Sequence, residues 1–486
     1  MNQFSFQLDW SWQRALTLSF PGMFILAVAG CASFNHIEPN AKLKSIVGVG
    51  TTSSEVSWPT DHWWQRYGDA ELDSLVDRAL LQNPTLKIAE ARIRRASADA
   101  GLVEAAAKLQ VTGVIDSTYQ RFSKNSIAPP PLGGTREFMN SANVNLGLSL
   151  DFFGRNQALL EAALGQVEAN KAEAQAVCVM LASGIAKTYF NLARLIAQRK
   201  LVAESLNLRE QTRKLVQQRV ANGLDTNVEL RQAEANLPST RLEIAQLDEL
   251  IVLGRHQLAA LVGVSPDATK TIAPQLTQAR DQALPERIPA ELIGRRADIA
   301  AAKARVEANT HMIDATRAAF YPNVNLVAFA GFASIGLSHW LESGSVQYGV
   351  GPAITIPIFA GGRLRATLTA NTADYDAAVE SYNQVLLDAV RDVADQIAST
   401  QSIVAQLKEQ RDTQAAIESA YGLAVQRYQA GLTNYLVVLT AENAVLAQRR
   451  QATDLKARML DLNVNLNRAL GGGFGDGPGD AAPHSK

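Results

Sequence analysis

Side chains able to do chemistry are few in this sequence and are not grouped for it. The six histidines, His36, His62, His256, His311, His339 and His484, are scattered without ligand spacing. No HExxH, Walker A, GxSxG or paired CxxC motif is present. Metal-assisted hydrolysis, nucleotide cleavage and acyl transfer therefore have no encoded centre, and neither an enzymatic activity nor a cofactor is expected. Only two cysteines occur, Cys31 and Cys178, so a disulfide scaffold is excluded.

One of those cysteines sits where a modification is expected. Arg14 precedes an apolar run, residues 15–30, that is short for a membrane-spanning helix and fits the hydrophobic part of an export signal. The run ends in Val28-Ala29-Gly30-Cys31, which resembles a bacterial lipobox: cleavage before Cys31 would leave an acylated first residue. An ordinary signal peptide with a chance cysteine is the alternative. Ala32, rather than an aspartate, follows, as in lipoproteins sorted to the outer membrane. Cys178 then has no partner and reads as a small buried apolar residue. No later stretch reaches 18 unbroken apolar residues.

The elements that carry the rest come from composition and repetition. Of 486 residues, 47% are hydrophobic and 19% charged, with a net charge of −1, enough for a large core and no basic footprint for nucleic acid. Gln218-Arg219-Val220-Ala221-Asn222-Gly223-Leu224 recurs 208 positions later as Gln426-Arg427-Tyr428-Gln429-Ala430-Gly431-Leu432. Ala233-Glu234 recurs as Ala441-Glu442, Leu148 to Gly154 faces Ile354 to Ala360, and Asn83-Pro84-Thr85-Leu86 faces Arg296-Ala297-Asp298-Ile299.

Each copy predicts a helix, two strands and two very long helices. Residues 155–222 and 363–430 are each 68 residues without proline, which as helix would run about 100 Å. Gly223 and Gly431 supply the turns, and return helices follow over 224–262 and 432–470, the first interrupted by Pro238. Apolar positions at three- and four-residue spacing, such as Leu386, Val390, Val393 and Ile397, call for coiled-coil-like packing. The intervening polar positions call for water on the other faces.

The strands have a period of two. Val144, Leu146, Leu148 and Leu150 alternate with Asn143, Asn145, Gly147 and Ser149, and residues 346–356 alternate likewise. Less regular partners are expected over 111–120 and 324–333. Apolar on one face and small or polar on the other, such strands suit a membrane barrel, with a soluble two-layer sheet as the alternative. Four strands cannot close in lipid, so several copies must share one barrel.

The duplicated order, the lipobox, the turn motifs at 219–224 and 427–432, Arg295-Arg296-Ala297-Asp298-Ile299, and Ile356-Pro357-Ile358-Phe359-Ala360-Gly361-Gly362-Arg363 together resemble the outer-membrane factor family of TolC-like channels. The likeness is to its NodT-type efflux lipoproteins and covers residues 58–472. It implies a mainly α fold with a β-barrel contribution, trimeric, with a 12-stranded barrel in the outer membrane and a 12-helix tunnel in the periplasm. It implies a passive exit duct of a tripartite efflux pump, with a periplasmic adaptor and a proton-driven inner-membrane transporter as partners, in a multidrug-resistance setting. Cys31 would carry the lipid. The tips, with Arg219, Gly223, Leu224, Arg427, Gly431 and Leu432, would meet the adaptor.

The same resemblance puts Tyr435, Leu436 and Thr440 at the tunnel constriction, where relatives often carry an aspartate at the position of Thr440. Asp225, Glu229 and Glu234 would keep the entrance negative, or are simply solvated charges on a helix face. The domain reading is a signal peptide over 1–30, an extension over 31–68, a first repeat over 69–270, a linker over 271–288, a second repeat over 289–472 and a tail over 473–486. A duct for secreted polypeptides and a periplasmic structural coiled coil are the alternative functions.

Overall fold

The computed structural model describes residues 34, 36–45, 62–125, 127, 130–276 and 296–472. Cys31, Arg295, the expected signal, most of the linker and the tail lie outside the described residues. The described residues form two compact units, one from those within 1–43, 93–169 and 302–381, the other from those within 44–92, 170–301 and 382–486, so each unit draws on both halves of the duplication.

The first half comprises α1 (Ala70–Gln82), α2 (Pro84–Ala107), β1 (Gln110–Arg121), β2 (Arg136–Leu150), α3 (Arg155–Ala221) and α4 (Asn227–Val262). The second comprises α5 (Ala297–Ala318), β3 (Asn323–Ile335), β4 (Val346–Thr355), α6 (Arg363–Gln429) and α7 (Tyr435–Ala469). Helices α3 and α6 are 67 residues each. The return helices start three residues later than the glycine spacing suggests, because each turn is followed by a capping residue, Thr226 or Asn434, before the first helical position. α4 runs through Pro238 without interruption, and the Thr240 hydroxyl donates to the Asn236 carbonyl at 2.7 Å. One window of α3 is long and apolar enough to cross a membrane by length and composition, but most of it is buried, and Ile185, Tyr189 and Leu192 within α3 belong to the core of the second unit.

The four strands make one antiparallel meander, β1-β2-β3-β4. The register stacks like on like. Val111 faces Leu146, Leu146 faces Ala328 and Ala328 faces Val350; Leu150 faces Val324, which faces Ile354. Paired residues share a face, so this side of the sheet is apolar from edge to edge. Among the described residues nothing covers it: Ile115, Tyr348 and Val350 are 76%, 81% and 77% exposed. The opposite side carries Thr112, Asn145 and Asn143, with Gln347 Nε2 donating to the side-chain Oδ1 of Asn143 at 2.8 Å. Beyond the apolar band stand rings: Tyr119 against Phe138 at one end (5.0 Å) and Phe153 stacked on Tyr321 at the other (4.9 Å).

In the second unit both repeats close their helical hairpins by the same device. The Asn83 amide, just before α2, donates to the Leu261 carbonyl near the end of α4 at 2.6 Å. Its counterpart Arg296, just before α5, donates to the Ala469 carbonyl at the end of α7 at 2.9 Å and is held by Asp298 and Asp392. Each side chain satisfies a carbonyl that the helix itself leaves without a partner. Arg296→Met should lower unfolding stability by about 2–3 kcal/mol by leaving that carbonyl and part of the carboxylate pair unsatisfied. Denaturant titration of the variant against the parent measures it.

Candidate functional site

The two helical turns of the second unit concentrate the residues singled out by the sequence. At the first, Gly223 takes φ +72° while the Gly223 amide donates to Val220 O (3.0 Å) and the Leu224 amide to Arg219 O (2.8 Å). At the second, Gly431 takes φ +74°, with amide bonds from Gly431 to Tyr428 O (3.0 Å) and from Leu432 to Arg427 O (2.8 Å). Space around both glycines is open, so it is the left-handed backbone and not crowding that selects glycine.

The turns differ in what joins them. The Arg219 guanidinium forks onto Asp225, with Nε to Oδ2 at 2.9 Å and Nη2 to Oδ1 at 3.4 Å. Its Nη1 reaches the Tyr428 carbonyl at 3.3 Å, and its plane lies 4.5 Å from the Tyr428 ring centroid. The Tyr428 hydroxyl donates back to Asp225 Oδ2 at 2.5 Å. Beneath this triad Val216, Ala233, Tyr428, Tyr435 and Val438 form an apolar cluster. Burial pushes the Asp225 carboxyl upward, but the hydrogen bonds from Arg219 and Tyr428 and the Arg219 charge outweigh it and hold the carboxyl below its ordinary range. Burial and the bond to Asp225 raise the Tyr428 hydroxyl.

A second crossing lies further along the same helices. Arg209 of α3 donates to Glu442 Oε1 and Asn443 Oδ1 of α7 and to Thr240 Oγ1 of α4, each at 2.8 Å. Glu442 is buried there, whereas its repeat counterpart Glu234 is partly exposed and paired with Arg231 at 2.7 Å.

Several expectations change on this geometry. Arg219 is enclosed in the triad instead of offering its charge outward, because Asp225 and Tyr428 use its donors. Tyr435 is buried against Tyr428, so its ring does not face an opening, whereas Leu436 beside it is 53% exposed. Thr440 is exposed, with its hydroxyl turned back onto the Leu436 carbonyl at 2.8 Å. Of the three entrance carboxylates, Asp225 and Glu234 are ion-paired and Glu229 closes the capping box on Thr226. Leu224, Arg427 and Leu432 are exposed. Sequence reasoning did not select Tyr428, Arg209 or Glu442. A signal existed: the triad uses the positions where the copies disagree, Tyr428 opposite Val220 and Asp225 opposite Thr433. Among the described residues, no group of three or more His, Cys, Asp or Glu side chains could hold a metal ion.

The fold is thus mostly helical, with long paired helices turning at glycines and a four-stranded meander whose apolar face is exposed. The chain belongs to the outer membrane efflux protein family, which it matches over residues 75–264 and 288–472; proteins of this family are channels, not enzymes. It is 32% identical over 480 residues to the multidrug resistance outer membrane protein MdtP of Escherichia coli (strain K12), covering 96% of this chain and 98% of that one. It is 33% identical over 359 residues to the fusaric acid resistance protein FusA of Burkholderia cepacia, covering 72% and 68%. Among solved structures it is similar to the outer membrane protein VceC of Vibrio cholerae, with a TM-score of 0.81 and 36% identity, covering 86% of this chain and all of that one.

The triad has a defined pH signature. The folded Asp225 carboxyl titrates below its unfolded value of about 3.9, so its contribution is complete above that value and is lost as pH falls through the folded one. The difference in thermal midpoint between parent and Asp225→Asn, followed by circular dichroism, should stay constant from about pH 7 to 5 and shrink below about pH 4.

Proposed function

We propose that three copies of this chain assemble into the outer-membrane exit duct of a tripartite efflux pump, passing small molecules from an inner-membrane transporter and periplasmic adaptor to the exterior. The observation that carries this reading is the sheet: an apolar face open from β1 to β4, with no strand among the described residues paired to the outer edge of β1 or of β4. In hydrocarbon those edges must find partners. Pairing β4 of one copy with β1 of the next, around three copies, gives a closed barrel of twelve strands, within the range that membrane barrels occupy. The aromatic pairs Tyr119–Phe138 and Phe153–Tyr321 fit the two interfacial girdles.

On this reading Cys31 carries the lipid anchor, and the exposed Leu224, Arg427 and Leu432, with Gly223 and Gly431, present the tips to the adaptor. Arg219 acts behind them by fixing the turns. Leu436 and Thr440 remain the residues able to narrow the bore, with Glu229 the one entrance carboxylate not matched by a cation here. The names of the relatives, which cite multidrug and fusaric acid resistance, support small molecules as cargo. No observation favours a polypeptide cargo.

Detergent extracts should yield a trimer that dissociates on heating, and a monomer fully dispersed in detergent-free buffer would overturn the reading. In planar bilayers Leu436→Ala should raise single-channel conductance, and Arg219→Ala with Tyr428→Phe should raise it further by untying the turns. A parent conductance already large and indifferent to both changes would show that these tips do not restrict the bore.

A further inference from the structure

In the second unit, faces of α3, α6 and α7 converge with the segment following the first repeat but do not close on one another. They leave a groove of about 910 Å³, within the size range of small-molecule sites. Its apolar lining is Ile196 and Leu201 from α3, Leu407 from α6, and Pro274 and Leu276 from the segment. Leu276 and Ile196 also pack against the main core, so this lining is anchored rather than loose.

The charges of the groove are unequal. At one end Glu418 Oε1 accepts from Arg449 at 2.8 Å and from Gln414 at 3.1 Å, and the guanidinium offsets the charge of that carboxylate. Gln410 donates to the Gln448 carbonyl at 2.8 Å. Three cations, Lys200, Arg411 and Lys456, also line the groove, and none is ion-paired to a carboxylate among the described residues. Lys200 and Arg411 lie one turn from Ile196 and Leu407 respectively, so cationic and apolar side chains alternate on the same helix faces. Against these three stands Glu204, which forms no ion pair among the described residues.

A rim with cations in excess, over an anchored apolar lining, is complementary to one ligand chemistry. We propose that this groove binds an amphipathic organic anion, a compact apolar body bearing a single carboxylate or sulfonate, with the anionic group on Lys200, Arg411 and Lys456 and the body on Ile196, Leu201, Leu276 and Leu407. The affinity comes from covering apolar surface, and the sign of the ligand is chosen by the three cations. This site is separate from the turns and does not require the duct reading, so its failure would leave that reading untouched.

The test is equilibrium dialysis of 2-naphthoate against the full chain reconstituted in lipid nanodiscs, with empty discs as the blank. Saturable binding of one probe per chain is expected, weakening as salt is raised. A naphthyl ammonium probe of the same shape should not bind saturably. Lys200→Gln, Arg411→Gln and Lys456→Gln combined should weaken 2-naphthoate by about tenfold, and Ile196→Trp should abolish binding by filling the groove. If the triple variant does not assemble like the parent, Lys456→Gln alone is compared. No saturable binding beyond empty discs, as when a second copy of the chain already covers the groove, overturns the proposal. So does equal binding of the cationic probe, or indifference to both the charge and the filling variants.

Discussion

A peptide group placed in hydrocarbon has no water to bond, and each one left without a partner costs several kcal/mol. On the proposed reading that constraint governs this chain, whose sheet carries an exposed apolar face and, among the described residues, has no strand paired to the outer edges of β1 and β4. A single copy satisfies the inner ladders β1-β2, β2-β3 and β3-β4 but not its outer strands. Under that proposal, completion by other copies answers the same rule that forbids lipid-exposed edges. It also explains why so little of the chain resembles a self-contained globular core at this end: the side chains that would be buried elsewhere, Ile115, Tyr348 and Val350, are turned outward.

Duplication supplies the helical end with two equivalent hairpins, and the structure shows where equivalence is kept and where it is broken. Backbone geometry is kept: Gly223 and Gly431 adopt φ of +72° and +74° with the same pair of amide bonds. Closure of the opposite hairpin ends is kept as a function but not as a residue, an asparagine in one copy and an arginine in the other bonding the final carbonyls. Cross-linking between copies depends on difference. Tyr428 and Asp225 have no like counterparts, and together with Arg219 they tie one turn to the other.

The contrast between Glu234 and Glu442 shows the physics behind that break. Both occupy the same place in the repeat, yet one meets Arg231 near the surface and the other is buried with Arg209, which also bonds Thr240 and Asn443. A buried carboxylate is tolerated only where a guanidinium with several satisfied donors accompanies it. Arg209 meets that condition by joining α3, α4 and α7 at one point, so the interior of the bundle is fixed by polar as well as apolar contacts.

Much of this was legible in the order of residues, because helices and strands answer to local periodicity. The 67-residue helices follow from proline-free runs, the turns from Gly223 and Gly431, and the strands β2 and β4 from alternation at 143–150 and 346–356. Membership of the channel family followed from the same features taken in order. What a side chain at the tip faces was decided only by packing. Arg219 and Tyr435 are expected at the surface and at the bore, yet both are enclosed, since Tyr428 of the second repeat lies over Arg219 of the first and against Tyr435 of its own. Sequence fixes which residues share a helix face at spacings of three and four; it does not fix which neighbouring helix meets that face, and partners 200 residues apart become neighbours only in the folded chain.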